Sequence, residues 1–553
     1  MSGMITRYWD PCTNTYQEAD LWAQYDYAWY DGDPYVGKAP QWDQSILPSR
    51  NARSHHQSQQ PYQLSARPRQ PRYPQKPPPT LQSIVTIRDS RRGTAVAHIP
   101  AEIWHYIFDF CMGSYRGEDR TRFRPSPKAM PMKLSQICRG LRYLAHKKPD
   151  LWSTICLSPT PNSRAATFPG RRLIRHYVSL ALNRPLDVIF DPCLDDRGSL
   201  ANAKVAIPNI FNVMLEYLPQ WGSVTLWGPW TRFAPMFPQH PGPQQLQSIT
   251  LEGSVEHDAI TPFVSYLVSC APLRSFVWRE VNEGQTPERH HTPGLLSKLP
   301  FRGGAMTRID LMTPLTVVEV AQLAAAMPNL KELTINNLLP EEGQYGADLP
   351  FQISLNQLEY LKLMVDLDYF SARKPGSILC TMLAALCTPN LKTLYLGYDE
   401  GWSQRRFERF LNASRPRLRS LVFDIMCIKD TDLLHTLKEF MGELEELTLN
   451  TPEDFKSPLT APLLEQMTHR GAWPMVTPKL RRITVNGPTL FPSEGRFAHM
   501  VNTRLMKNFP IQRVDVSVAY SRNPLKNRKL PDLANLLNLR RRGLHVNINE
   551  ERW

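Results

Sequence analysis

Two adjacent histidine pairs, His55-His56 and His290-His291, and two carboxylate pairs, Glu341-Glu342 and Asp366 with Asp368, are the groups in this 553-residue chain whose type and spacing could do chemistry. Histidines can hold a metal and paired carboxylates can divide acid and base roles, but each needs further partners on a common face. Adjacent histidines on a loop seldom present two ligands together, and neither carboxylate pair has a base or nucleophile beside it. The nine cysteines, scattered between positions 12 and 427, contain no CxxC pair, which argues against structural zinc and against a disulfide framework. Cys138 lies in an apolar helical pattern, a place for packing and not for a nucleophile. No phosphate-cradling glycine loop, GxSxG elbow or HExxH motif occurs. The expectation is a non-catalytic protein without catalytic residues, cofactor or metal.

What remains is binding, and binding needs elements to carry it. The pattern LxxLxL, other aliphatics and aromatics admitted, starts at Trp221, Leu246, Leu273, Met306, Leu330, Leu358, Leu391, Leu418, Leu444, Leu480 and Ile511, at intervals of 24 to 36 residues. Each copy predicts a short strand with alternate residues inward. Helical patterns precede several copies, at 260–270, 317–327, 378–387, 405–413 and 432–441, and some stop at a proline, as in Met327-Pro328-Asn329-Leu330. A helix at 171–182 leads into an opening strand at 186–190, so that about twelve parallel strands stack as a leucine-rich repeat solenoid over 170–550. At ~4.8 Å per strand the stack spans roughly 50 Å, curved with the sheet inside. A helix over 526–539 and a short apolar strand at 544–548, placed to cover the exposed sheet edge, complete the array as a C-terminal cap.

In the repeat frame the residues between the inward ones face the concave side. Trp227, Arg279, Arg308, Asp310, Tyr360, Lys362, Tyr395, Asp424, Arg482 and Arg513 are therefore the candidate target-binding residues. Both signs of charge with isolated aromatics suit a folded protein or peptide better than a phosphate backbone. The insertions at 281–300 and 451–477 could shape a rim.

Ahead of the array, 99–111 reads as an amphipathic helix with Pro100 in its first turn and Ile103, Ile107 and Phe110 at three-to-four spacing. After a polar, basic insertion at 113–128, a second helical pattern puts Leu134, Ile137, Cys138, Leu141, Leu144 and Ala145 on one face and ends at Pro149, before Leu151-Trp152. So small a module, 97–155, has little core of its own, and part of its apolar face must rest on something else. A docked partner is one occupant; the array itself, with the helices as its cap, is the other.

The ordered set Ile99-Pro100-x-Glu102-Ile103, Ile107-Phe108, Leu134-x-x-Ile137-Cys138-Arg139-x-Leu141-Arg142-x-Leu144-Ala145 and Leu151-Trp152 resembles the F-box. With the repeats behind it, the chain resembles fungal-type F-box proteins carrying C-terminal irregular leucine-rich repeats. Leu141 stands where that family usually has tryptophan, the insertion at 113–128 is longer than in compact members, and the repeats lack the asparagine of the extracellular type. The resemblance implies a small all-α module that binds the Skp adaptor of an SCF-type cullin-RING ubiquitin ligase. Ile99, Pro100, Ile103, Ile107, Phe108, Leu134, Ile137, Cys138, Leu141 and Leu144 would supply the contact surface or its immediate support. It implies a substrate-recognition subunit for ubiquitin-dependent protein degradation, with a leucine-rich repeat scaffold independent of the ligase as the alternative.

The formal net charge of +14 is unevenly spread: residues 1–45 carry two basic and seven acidic groups, 46–92 nine and one, 93–155 ten and five, and 156–553 forty-four and thirty-eight. Most of the excess lies in the tail and the helical module, so nucleic acid is not the expected partner. Residues 1–92 read as a disordered tail, aromatic and acidic to residue 45 and rich in Pro, Gln and Arg over 46–80. No apolar run reaches the length of a membrane span and the N-terminus has no signal-peptide pattern. The expectation is a cytoplasmic or nuclear α/β protein, with no membrane contact and no homo-oligomer.

Overall fold

The computed structural model describes residues 7–10, 15–18, 99–113, 123–158, 168–191, 200–227, 241–252, 257–270, 272–279, 304–340, 349, 351–365, 377–399, 401–426, 428–451, 459–468, 476–487, 495–507, 509, 511–520 and 531–552. The chain divides into two compact units, Met1–Ile84 and Val85–Trp553. In the first, β1 (Arg7–Asp10) pairs antiparallel with β2 (Thr15–Glu18), Trp9 opposite Tyr16. Within the expected tail, strand-favouring Tyr8, Trp9, Thr15 and Tyr16 form a short ladder. The rest of the expected tail through residue 92 lies outside the described residues.

The second unit is mixed α/β around one long parallel sheet. Its helices are α1 (Ala101–Gly113), α2 (Met130–Ile137), α3 (Arg139–His146), α4 (Arg171–Ala181), α5 (Leu200–Leu215), α6 (His257–Cys270), α7 (Val317–Ala325) and α8 (Ile378–Ala384), then α9 (Gln404–Ser414), α10 (Asp430–Phe440), α11 (Ala461–Met467), α12 (Arg496–Met506) and α13 (Pro531–Arg541). The strands are β3 (Thr154–Leu157), β4 (Leu186–Phe190), β5 (Trp221–Trp227), β6 (Ser248–Glu252), β7 (Ser275–Arg279), β8 (Arg308–Leu311), β9 (Leu315–Thr316), β10 (Glu332–Leu339) and β11 (Ile353–Ser354). They continue as β12 (Tyr360–Val365), β13 (Leu386–Cys387), β14 (Thr393–Asp399), β15 (Ser420–Met426), β16 (Glu446–Asn450), β17 (Arg482–Gly487), β18 (Arg513–Tyr520) and β19 (His545–Arg552). Among the described residues, fifteen strands share the main sheet, each paired with the next in chain order, with β9 attached beside β10; β11 and β13 pair separately.

The reason is periodic. Ile309, Leu333, Leu361, Leu394, Leu421, Leu447, Ile483 and Val514 stand side by side in register and are at most 1% exposed. Leu311, Ile335, Leu363, Leu396, Phe423 and Leu449 form a second sealed row two residues on. Each such side chain contributes roughly 1.5–3 kcal/mol by leaving water. The helices close this core from one side with Val320, Leu383, Phe407, Phe410, Leu437 and Leu464, and the residues between the two rows point to the other face.

Local signals fix the joints. Thr316 and Glu319 form a reciprocal capping box at the start of α7. Asn329 and Asn390, each following a proline, donate to the carbonyls of Gly304 (2.9 Å) and Asn356 (2.6 Å) in the preceding turn. Buried Arg504 in α12 donates to the carbonyls of Met467 (3.0 Å), Val476 (2.6 Å) and Thr477 (3.0 Å), bracketing the chain between α11 and β17. Burial pulls its guanidinium down to about 10.

The sheet is longer than the repeat frame predicts at its first end, where β3 pairs with β4 directly after the helical module. At the other end the strand expected at 544–548 is present as β19, which covers the edge of β18 as a parallel partner and runs on to Arg552. The second helical pattern is also corrected: it is two helices. Cys138 adopts an extended backbone (φ −155°) between α2 and α3, and its Sγ accepts from the Leu141 amide at 3.4 Å as the cap of α3. Arg142 Nε reaches back to the Ser135 carbonyl (2.8 Å), satisfying an end of α2 that the break exposes.

Candidate functional site

The break at Cys138 decides which way each apolar side chain of the helical module points. Phe108, Leu134, Leu141 and Ala145 turn inward and join the core, with Trp104, Leu144 and Cys138 packed half-buried against it. Trp152 closes this core: it is fully buried, its Nε1 donates to the Ala145 carbonyl (2.8 Å), and it meets Tyr177 of α4 edge-on at 5.1 Å. Pro100 leads into α1, its carbonyl accepting from the Ile103 and Trp104 amides, while Ile99 and Ile107 are half-buried.

The remaining large side chains face water: Ile103 (47% exposed), Tyr106 (72%), Phe110 (76%), Ile137 (64%) and Tyr143 (49%). Isolated exposed hydrophobics are ordinary, but five on three short helices are not. Of the ten expected adaptor residues, Ile103 and Ile137 are on this surface, and Phe108, Leu134 and Leu141 are support beneath it. The expectation that Ile137 shares a face with Leu134 and Leu141 fails: Leu134 is buried and Ile137, at the end of the same helix, is exposed, while the break at Cys138 puts Leu141 on a separate helix. Tyr106, Phe110 and Tyr143 are additional surface groups; their signal was an aromatic at three-to-four spacing from Ile103 in α1, and Tyr143 beside the inward Leu141 in α3.

The helix-free face of the sheet carries the other ten candidates. Its polar groups gather around carboxylates. Arg279 lies between Glu252 (3.6 Å) and Asp310 (3.2 Å), and Asn336 also donates to Asp310. Lys362 holds its ammonium 4.6 Å from the centre of the Tyr395 ring, and the Tyr395 hydroxyl donates to Asp424. Asn450 donates to the other Asp424 oxygen (2.9 Å), and Asn486 donates to Asn450 (2.7 Å). Gly397 makes room: a Cβ there would lie 3.2 Å from Met364 Cγ and 3.4 Å from Asp424 Cβ. Further along, Arg482 and Arg513 both place Nε at 2.9 Å from Asp515. Arg308 pairs with Glu332 (3.4 Å) in an exposed contact, and Tyr360 and Trp227 are half-buried.

Asp310 and Asp424, expected as open contact groups, are corrected to anchors: at 7% and 9% exposed they are covered by the side chains they hold. Burial lowers the Lys362 ammonium, against the raising pull of Asp310 and Asp424, and burial with the Asp424 hydrogen bond pushes the Tyr395 hydroxyl up. Such a face can present fixed polar and cationic groups to a partner. Among the described residues no group of three or more His, Cys, Asp and Glu could hold a metal. His55-His56, His290-His291, Glu341-Glu342, Asp366 and Asp368 lie outside the described residues. No described helix is long and apolar enough to cross a membrane.

No family model matches the chain, and no curated protein matches it.

Proposed function

We propose that this chain is a substrate-recognition subunit of an SCF-type cullin-RING ubiquitin ligase. On this reading α1–α3 are an F-box that docks the Skp adaptor, and the parallel sheet belongs to a leucine-rich repeat array that holds a protein target. The observation that carries it is the uncovered surface of Ile103, Tyr106, Phe110, Ile137 and Tyr143, which the module's own core leaves in water. An amphipathic helical face of this kind is stabilised by a partner's groove. The array supplies no reaction on this account; it raises the effective concentration of a target lysine near the ligase's own enzyme.

The alternative, a repeat scaffold whose helices cap the array, is favoured by the Trp152–Tyr177 contact and by β3, which join the module to the sheet. A cap needs its inner face and has no use for the outer one. Copurification of the full chain with a Skp-type adaptor separates the two: wild type should bind, and Ile103→Asp should lose binding at least tenfold, roughly the cost of a buried unpaired charge. No binding by wild type, or equal binding by Ile103→Asp, removes the receptor reading and leaves the scaffold.

A further inference from the structure

On the sheet face, most cations are matched by carboxylates. Arg279 has two, Arg308 has Glu332, and Lys362 lies between the fields of Asp310 and Asp424. The balance changes at β17 and β18. Arg482 and Arg513 are register partners on adjacent strands, ~4.8 Å apart, and share the single carboxylate of Asp515. Both use Nε for that bond, and among the described residues neither has a partner at its terminal nitrogens. Asp515 is 7% exposed, so the anchor is beneath and the side chains of Arg482 and Arg513, at 40% and 42%, are in reach of solvent. The trio carries one net positive charge.

We propose that Arg482 and Arg513 form a two-armed clamp for a carboxylate of an acidic peptide segment. Guanidinium forks bind carboxylates through parallel N–H bonds, and here the Nε bonds to Asp515 set both forks in place before the ligand arrives. One surplus charge suits a singly charged group. A phosphoryl group, at about −1.5 to −2, would exceed it, and Glu446, the exposed register neighbour of Arg482 on β16, repels such a group up to about twice as strongly as it repels a carboxylate. The inference deepens the receptor reading and rests on it only for the segment's owner, a bound target; capture itself needs no adaptor.

The test is a titration of a fluorescent hexaglutamate peptide into the full chain without adaptor, so failure here leaves the adaptor assay standing. Arg482→Gln with Arg513→Gln should weaken binding roughly tenfold. Arg540→Gln with Arg541→Gln, two exposed arginines at the end of α13, removes the same charge and should change binding by less than about twofold. Because Asp515 loses its partners in the first variant, Arg482→Lys with Arg513→Lys is the companion: charge is kept, the forks are lost, and binding should still drop several-fold. Equal losses in the Gln variant and the α13 control, or full binding by the Lys variant, would overturn the clamp. Tighter binding of a matched phosphoserine peptide that depends on the same arginines would overturn its assignment to carboxylates.

Discussion

Leu333, Leu361, Leu394 and Leu421 are sealed between a sheet and a layer of helices, while Tyr106, Phe110 and Ile137 stand in water on helices only 13 and 8 residues long. The difference is one of neighbours. Every internal strand of the array has a copy of itself on either side, so its apolar rows are continuous and its free chemistry is confined to the polar rows opposite. Among the described residues the helical module meets the array on one side, through Trp152 and β3. Apolar surface is thus an internal matter in the array and an external one in the module, and substitutions should divide accordingly.

The largest effect belongs to the sealed rows. Leu394→Ala should cost about 3–5 kcal/mol in chemical denaturation, whereas Phe110→Ala in the module should stay within about 0.5 kcal/mol of wild type. Comparable losses in both would break the comparison, since Phe110 would then be part of a core. Next comes Arg504, whose loss leaves three buried carbonyls without their donor; Arg504→Met should destabilise by about 3 kcal/mol, read as a lower unfolding midpoint.

Asp399 adds a pH test. Its buried carboxylate accepts from the Leu379 amide (2.9 Å), Ser377 Oγ (2.8 Å) and the Gly401 amide (2.9 Å), joining α8 to the end of β14. Burial, outweighing these donors, pushes it up to about 6 from the ordinary 3.8. A raised folded-state pKa gives stability that is complete below the unfolded value and lost as pH rises through the folded one. Between about pH 4 and pH 6 the group should therefore remove up to about 3 kcal/mol. The difference in unfolding free energy between wild type and Asp399→Asn, measured across that window, should follow this slope; a flat difference would show that the donors cancel burial, and a slope of opposite sign that they outweigh it.

The strands from Trp221 to Val516 were legible because their leucines repeat with strand period and each repeat meets a like neighbour. β3 is masked in the sequence by the module's ending: Trp152-x-x-Ile155-x-Leu157 has the same frame, but Leu151-Trp152 also closes the module, and one tryptophan serves both. The break at Cys138 was not legible, since Leu134, Leu141 and Ala145 keep helical spacing across it and only the backbone at Cys138 shows the turn. On the sheet face the alternation identified which residues point outward. It did not show that Asp310, Asp424 and Asp515 lie beneath their partners, because coverage depends on side chains three strands wide.

Hydrogen–deuterium exchange of the full chain, with and without a Skp-type adaptor, reads both regions in one experiment. Docking on the uncovered surface should slow exchange across Ala101–Gly113 and Met130–His146 and leave the strands from Glu332 to Tyr520 unchanged. Unchanged exchange in α1–α3 under saturating adaptor, or protection appearing along the sheet, would contradict the division between a docking module and a free receptor face.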